Sequence, residues 1–141
     1  MITVKELAKR TGVTPDAVRY YVRIGLLKPR RNPGNRYKLF AEADVRRLHF
    51  IRQAKSLGYT LDEIAQIFHD SSRGRSPCPR VRQIIQNRIK ENRARLEELN
   101  VLQRRMEDAL GRWQAMPDGL PDGESVCHLI ESIDGITSVN D

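Results

Sequence analysis

At 141 residues, 39% hydrophobic and 30% charged, the chain has room for one compact domain plus an extension, with much helical surface. Its formal charge of +7 is segregated: residues 1–76 carry sixteen Lys/Arg against seven Asp/Glu and residues 77–141 nine against eleven, so a polyanion, nucleic acid above all, is the expected partner of the first half. No apolar run reaches membrane-spanning length, MITVKELAKR lacks a signal-peptide core, and two cysteines cannot staple a secreted fold, so no membrane contact and a cytoplasmic location are expected.

Thr3-Val4-Lys5-Glu6 has the form of a capping box and opens a first helix, with Leu7 and Ala8 on its apolar face, that Gly12 stops. Thr14-Pro15 restarts a helix, Thr14 as N-cap and Pro15 where its missing N–H costs nothing. This second helix runs from Asp16 to about Ile24 and ends at Gly25. Two short helices joined by a Gly-containing turn form a helix-turn-helix pattern. In LLKPRRNPGNRYKLF, Asn32-Pro33-Gly34-Asn35 is turn chemistry between extended segments and predicts a two-stranded wing. A third helix is expected from about Glu42 to Ser56, with Val45, Leu48 and Ile51 on one face and Gly58 closing it. Thr60-Leu61-Asp62-Glu63 is a second capping box, opening a short helix with Ile64 and Ile67 inward. Residues 1–70 thus read as a winged helix-turn-helix DNA-binding domain, and the polar run 71–77 as a hinge.

From Cys78 to Met116 only Pro79, tolerable in a first turn, and Gly111, near the end, oppose a helix of roughly 55–60 Å. Ile89, Leu96, Gln103 and Leu110 share one heptad position; Cys78, Ile85, Asn92, Leu99, Met106 and Trp113 share the other. That stripe is too narrow for a globular core, so residues 78–116 are expected to bury it by homodimerisation. The fold class is mainly α: a winged helix-turn-helix domain plus a long coiled-coil dimerisation helix. Residues 117–141 form an effector-sensing tail. Pro117 to Glu124 repeats Pro/Asp/Gly turns, Cys127 and His128 follow, and Leu129, Ile130 and Ile133 predict a short amphipathic helix before a frayed end, Ser138–Asp141.

A recognition helix needs a long donor for base edges and hydroxyls or charges for phosphates. The second helix offers Thr14, Asp16, Arg19, Tyr20 and Arg23 on an exposed arc, while Val18 and Tyr21 pack inward. Arg19, able to pair bidentately with guanine, is the candidate base reader, and Tyr20 the candidate phosphate donor. Arg30, Arg31, Arg36, Tyr37 and Lys38 of the wing are placed to grip flanking backbone. No nucleophile–base pair, phosphate loop or carboxylate pair marks an enzyme. His49 reads as structural and His69 as a surface residue.

The stretches VRYYVRIGLL, NRYKLF and DVRRLHFIRQAKSLGYTLDEI, with the long helix from Cys78, occur in the order found in the MerR family of transcriptional regulators, which the chain resembles over essentially its whole length. Two positions depart from the family pattern: Val22 stands where an acidic residue is usual, and Ala41 where a small hydroxyl or acidic cap is usual. The resemblance implies a homodimer with antiparallel long helices, bound to a palindromic promoter element with an overlong spacer. It further implies activation by bending and untwisting that spacer so that RNA polymerase engages both promoter hexamers.

Antiparallel pairing would bring Cys78, at the head of one long helix, to Cys127 beyond the far end of its partner's, giving two equivalent sites per dimer. Thiolates are soft ligands for copper(I), zinc or another thiophilic metal ion. His128 is the candidate third ligand, with Glu124, Asp122 and His69 as auxiliaries. Both cysteines match thiolate positions of metal-sensing family members, and VCHLIESI resembles their C-terminal cysteine loop. Trp113 stands where those sensors usually carry another cysteine. Two thiolates suffice for a linear monovalent ion, whereas a tetrahedral divalent ion needs His128 or carboxylates as well. Three alternatives stay open: a redox-switched disulfide, an organic effector in an apolar pocket beside Trp113, and an architectural DNA-binding protein with inert cysteines and no effector.

Overall fold

The computed structural model describes residues 1–133; the end of the tail, with Ser138–Asp141, lies outside the described residues. In chain order the elements are β1 (Ile2–Thr3), α1 (Val4–Thr11), α2 (Pro15–Arg23), β2 (Arg30–Arg31), β3 (Lys38–Phe40), α3 (Glu42–Ser56), α4 (Leu61–Ser72), α5 (Cys78–Trp113) and α6 (His128–Glu131). They fall into two compact units, Met1–Gln86 and a second from Asn87 onward.

Side-chain caps set the helix starts. Thr3 Oγ1 accepts from the Glu6 N–H at 3.3 Å, and Thr14 Oγ1 from the Ala17 N–H at 3.1 Å. At Thr60 the box is complete: Oγ1 accepts from the Glu63 N–H at 3.2 Å and Glu63 Oε1 from the Thr60 N–H at 2.8 Å. Ala41 has no acceptor of its own, but Asp44 Oδ2 takes the Ala41 N–H at 2.9 Å, so half a box survives the substitution. Helix α1 ends on Gly12 at φ 72°, and the Arg52 guanidinium from α3 donates to the Thr11 carbonyl beside it. A Cβ on Gly12 would meet only the movable end of that arginine, at 2.7 Å, so it is the left-handed backbone that favours glycine here.

The two expected strands of the wing, β2 and β3, pair antiparallel with Arg31 opposite Lys38, and β1 adds an unexpected third on the other edge of β3, Ile2 opposite Phe40, giving the order β1-β3-β2. A two-residue strand carries no readable alternation; only its partner makes it one. At the hairpin tip Arg36, not a glycine, takes the left-handed conformation (φ 62°), its N–H donating to the Asn32 carbonyl at 2.8 Å.

Leu7, Val18, Leu27, Phe40, Leu48, Ile51 and Ile64 are the fully buried apolar centre of the first unit. Each such side chain contributes about 1.5–3 kcal/mol by leaving water. Helix α4 continues through Ser72, so the first two residues of the expected hinge are helical, and the chain turns at Gly74 instead (φ 71°). Helix α5 stops at Trp113, three residues short of Met116. Its first turns belong to the first unit: Val81, Ile84 and Ile85 are half-buried against that core. Ile85 thus meets this core as well as standing on the heptad stripe, because a heptad pattern does not say whose apolar surface a residue meets. His49, read as structural, is exposed on α3.

Candidate DNA interface and effector site

Burying Val18 and Tyr21 on one side of α2 turns Asp16, Arg19, Tyr20 and Arg23 outward at helical spacing. Asp16 Oδ1 accepts from Arg19 Nη1 at 2.8 Å, which orients the guanidinium along the exposed face. The Arg23 guanidinium lies over the Tyr20 ring, 5.1 Å from its centre. Thr14 is committed to capping through its lone pair, leaving its O–H to donate outward. In the wing Arg30, Arg31, Arg36 and Tyr37 are exposed and Lys38 half-buried. Arg31 and Lys38 sit directly opposite across β2 and β3. Facing like charges oppose strand pairing unless an anion is present to meet both.

Charged side chains that sequence patterns passed over hold this surface in place. Arg47 of α3 donates from Nε to the Leu26 carbonyl, just after α2, at 2.7 Å, and its guanidinium stacks 3.8 Å from the centre of the Phe68 ring on α4. Burial lowers the Arg47 pKa from its ordinary value, and the Asp44 charge opposes that shift. Arg10 and Glu42 pair at 2.8 and 3.0 Å, joining α1 to the start of α3, and the Arg10 hydrogen bond holds the Glu42 carboxyl below its usual range.

Both cysteines are free thiols, Cys78 exposed and Cys127 half-buried. The Cys78 N–H donates to Ser76 Oγ at 3.3 Å at the head of α5. Cys127 is the N-cap residue of α6, and its side chain makes no capping bond. Two carboxylates build the loop before it. Asp122 Oδ1 accepts from the Glu124 and Ser125 N–H groups at 2.8 Å each; Glu131 accepts from the Ser125 hydroxyl at 2.6 Å and the Val126 N–H at 3.1 Å. These bonds keep both acids below the usual carboxylate range and spend Asp122 on loop structure. The His128 ring packs so tightly on Gly119 that a Cβ there would overlap it. Glu124 and His69 are exposed, and among the described residues no three His, Cys, Asp or Glu side chains converge within the chain. The expected helix after Cys127 is a single turn that leaves Ile130 65% exposed. Trp113, with Leu102, Met106, Ala109 and Ile133, lines a cavity of about 400 Å³ that Arg105, Asp108 and Arg112 also border; its indole N–H is buried without an acceptor among the described residues.

A helix-turn-helix with an exposed basic arc, a basic three-stranded wing and a long amphipathic helix defines a DNA-binding regulator. The families described as "MerR HTH family regulatory protein" and "MerR, DNA binding" match residues 2–71 and 45–109. The HTH-type transcriptional regulator ZntR of Escherichia coli is 30% identical over 135 residues, 95% of this chain and 93% of its own. The transcription regulator PbrR691 from Ralstonia metallidurans CH34, solved in complex with lead(II), superposes with a TM-score of 0.73 at 26% identity over 94% of this chain and 98% of its own. MerR from Bacillus megaterium MB1, solved with mercury(II), gives 0.58 at 27% identity over 93% and 98%. The chain belongs to the MerR family and is a DNA-binding transcriptional regulator. Among the described residues no helix is long and apolar enough to cross a membrane.

Proposed function

We propose that this regulator works as a homodimer that responds to a thiophilic metal ion, each ion held by Cys78 of one chain and Cys127 of the other, with His128 as the third donor. The observation that carries the reading is the pair of free thiols, one at the head of α5 and one at the cap of α6, in a chain matched nearly end to end by regulators solved with lead(II) and mercury(II). Two sulfurs and an imidazole fit a soft ion, which would supply a strong cross-link between the two cysteines. Asp122 and Glu131 shape the loop that presents Cys127, and the cap at Ser76 fixes the turn that presents Cys78.

The exposed stripe of α5 supports pairing with a second copy. Its charge supports an antiparallel arrangement: residues 78–95 carry six Lys/Arg against one Asp/Glu, and residues 96–113 three against four. On DNA, Arg19 reads a base edge while Asp16 orients it, and Thr14, Tyr20, Arg23, Arg31, Arg36, Tyr37 and Lys38 hold phosphates. The dimer stabilises a distorted promoter that RNA polymerase can use, and the ligand state of the cysteines selects the distortion. A second reading, an organic effector, has in its favour the Trp113 cavity and its indole N–H, unpaired among the described residues.

Metal binding per dimer decides the first reading. Cys78→Ser and Cys127→Ser homodimers should bind the operator yet lose the response to lead(II), mercury(II), zinc(II) and copper(I). A heterodimer of the two variants should bind half the metal of the parent, since one site keeps both thiolates. If the ligands pair within one chain, the heterodimer binds as poorly as either homodimeric variant. A normal response of both single variants moves the effector to the Trp113 cavity.

A further inference from the structure

Asp70 and Arg80 have no part in the reading above. Asp70, in the last turn of α4, is the one buried charged side chain among the described residues of the first unit. Arg80, in the first turn of α5, meets its carboxylate with a two-pronged grip, Nε to Oδ2 at 2.6 Å and Nη2 to Oδ1 at 3.3 Å, and reaches Gln66 Oε1 with Nη1 at 3.2 Å. One residue on, the Tyr59 hydroxyl donates to the Val81 carbonyl at 2.7 Å.

We propose that the Asp70–Arg80 pair is a specificity-determining joint, which fixes the angle between α4 and the head of α5 and so sets the half-site separation that the dimer accepts. Residues 73–77 connect the two helices through a hydrogen-bonded turn, with Gly74 left-handed and the Arg75 N–H donating to the Asp70 carbonyl at 3.0 Å, but none of their side chains is buried. The Asp70–Arg80 pair is thus the charged side-chain tie between α4 and the head of α5, beside the apolar contacts of Val81, Ile84 and Ile85. An apolar contact in place of the pair would stabilise the joint equally well, yet it would tolerate rotation. A planar guanidinium on a planar carboxylate does not. The pair also closes a continuous route. The Leu26 carbonyl after the recognition helix holds Arg47, Arg47 stacks on Phe68, and Phe68 lies two residues before Asp70 on α4. The orientation of α2 is thereby referred to the head of α5, within the first unit. In a dimer paired through α5, two recognition helices so held meet DNA at one spacing. One base pair more or less moves a half-site by about 3.4 Å and turns it by about 34°.

The proposal rests on the dimer reading and not on the metal. Its test uses the full-length chain and an operator fragment selected by the parent from a random-sequence duplex library, remade with one and two base pairs inserted or deleted at its centre. The readout is the ratio of affinities between the selected and altered spacings, in which the folded fraction cancels. The parent should discriminate by about tenfold or more per base pair. Asp70→Asn and Arg80→Lys, which keep size or charge but lose the two-pronged grip, should each reduce that to about threefold or less while affinity for the selected spacing changes little. Should Asp70→Asn fail to fold, Arg80→Lys alone carries the comparison. Variants that sediment as dimers and keep the parent's ratio overturn the joint alone. A parent that sediments as a monomer overturns the dimer reading and the joint together.

Discussion

The first unit buries Leu7, Leu48, Ile51 and Ile64 completely within its own chain, whereas Leu96, Leu99, Met106 and Leu110 of the second each stay more than half exposed. Both sets are large aliphatic or thioether side chains; what differs is how much neighbouring chain is available to cover them. Residues 1–86 bring four helices, a small sheet and the head of α5 to one centre. Beyond Asn87 the rest of α5, a turn-rich tail and the one-turn α6 enclose only the small cavity beside Trp113, and Ala109 is the one buried residue among those described there. The contrast separates what the chain covers by itself from what it leaves open, the surface for which a second copy is the proposed cover. It also places Cys78 in the self-sufficient unit and Cys127 in the other, so any ligand that joins the two thiols across a dimer joins unlike units.

The largest expected effect sets the two regions directly against each other. Leu99→Asp should abolish the dimer at low micromolar concentration, since an unpaired carboxylate buried in a seam costs about 3–5 kcal/mol. Leu48→Ala should cost about 2–5 kcal/mol of unfolding free energy with no dependence on protein concentration. Sedimentation and denaturant unfolding at several concentrations check both; an undisturbed Leu99→Asp dimer would show that the seam lies on another face of α5.

A smaller contrast divides the DNA surface itself. Arg19→Ala should lose about 1–3 kcal/mol of operator affinity and relax preference at one base position, with the dimer intact. Arg31→Ala, opposite Lys38, should weaken all sequences alike and lower the salt slope by about 1. Salt titrations on operator and random duplexes distinguish the two, and identical behaviour of both variants contradicts the division between helix and wing.

The smallest effect is a shift in acid stability. The Arg80 hydrogen bond holds the folded Asp70 carboxyl below its ordinary range. A group depressed on folding stabilises above its unfolded pKa, and that stability is lost as pH falls through the folded value. The parent should therefore lose stability more steeply than Asp70→Asn as pH falls below the ordinary carboxylate range. Parallel slopes in acid unfolding curves would remove Asp70 from the titrating set.

Local chemistry made much of this molecule readable in advance. Thr14-Pro15, Thr60 with Glu63 and Gly12 act through atoms within four residues, and their caps appear where those residues stand. The outward arc of α2 follows from helical spacing once Val18 and Tyr21 are taken as inward. The positions of the two cysteines, one at the head of a long helix and one after it, are likewise sequence facts. The third strand was not readable, because Ile2 and Thr3 become a strand only beside Leu39 and Phe40, nearly forty residues away. Nor was the packing of Ile85 against the first unit's core, or the left-handed Arg36, or the use of Asp122 as a loop brace. Arg47, Arg52, Asp70 and Arg80 look like ordinary surface charges in a basic sequence. Each acts on a group 10 to 41 residues distant, and only packing decides which charge is desolvated and against what. Periodicity and capping report interactions along the chain, so the sequence determined the helices, the wing hairpin and the exposed arc. Burial and pairing across the chain depend on where those elements meet, and that the tertiary structure alone decided.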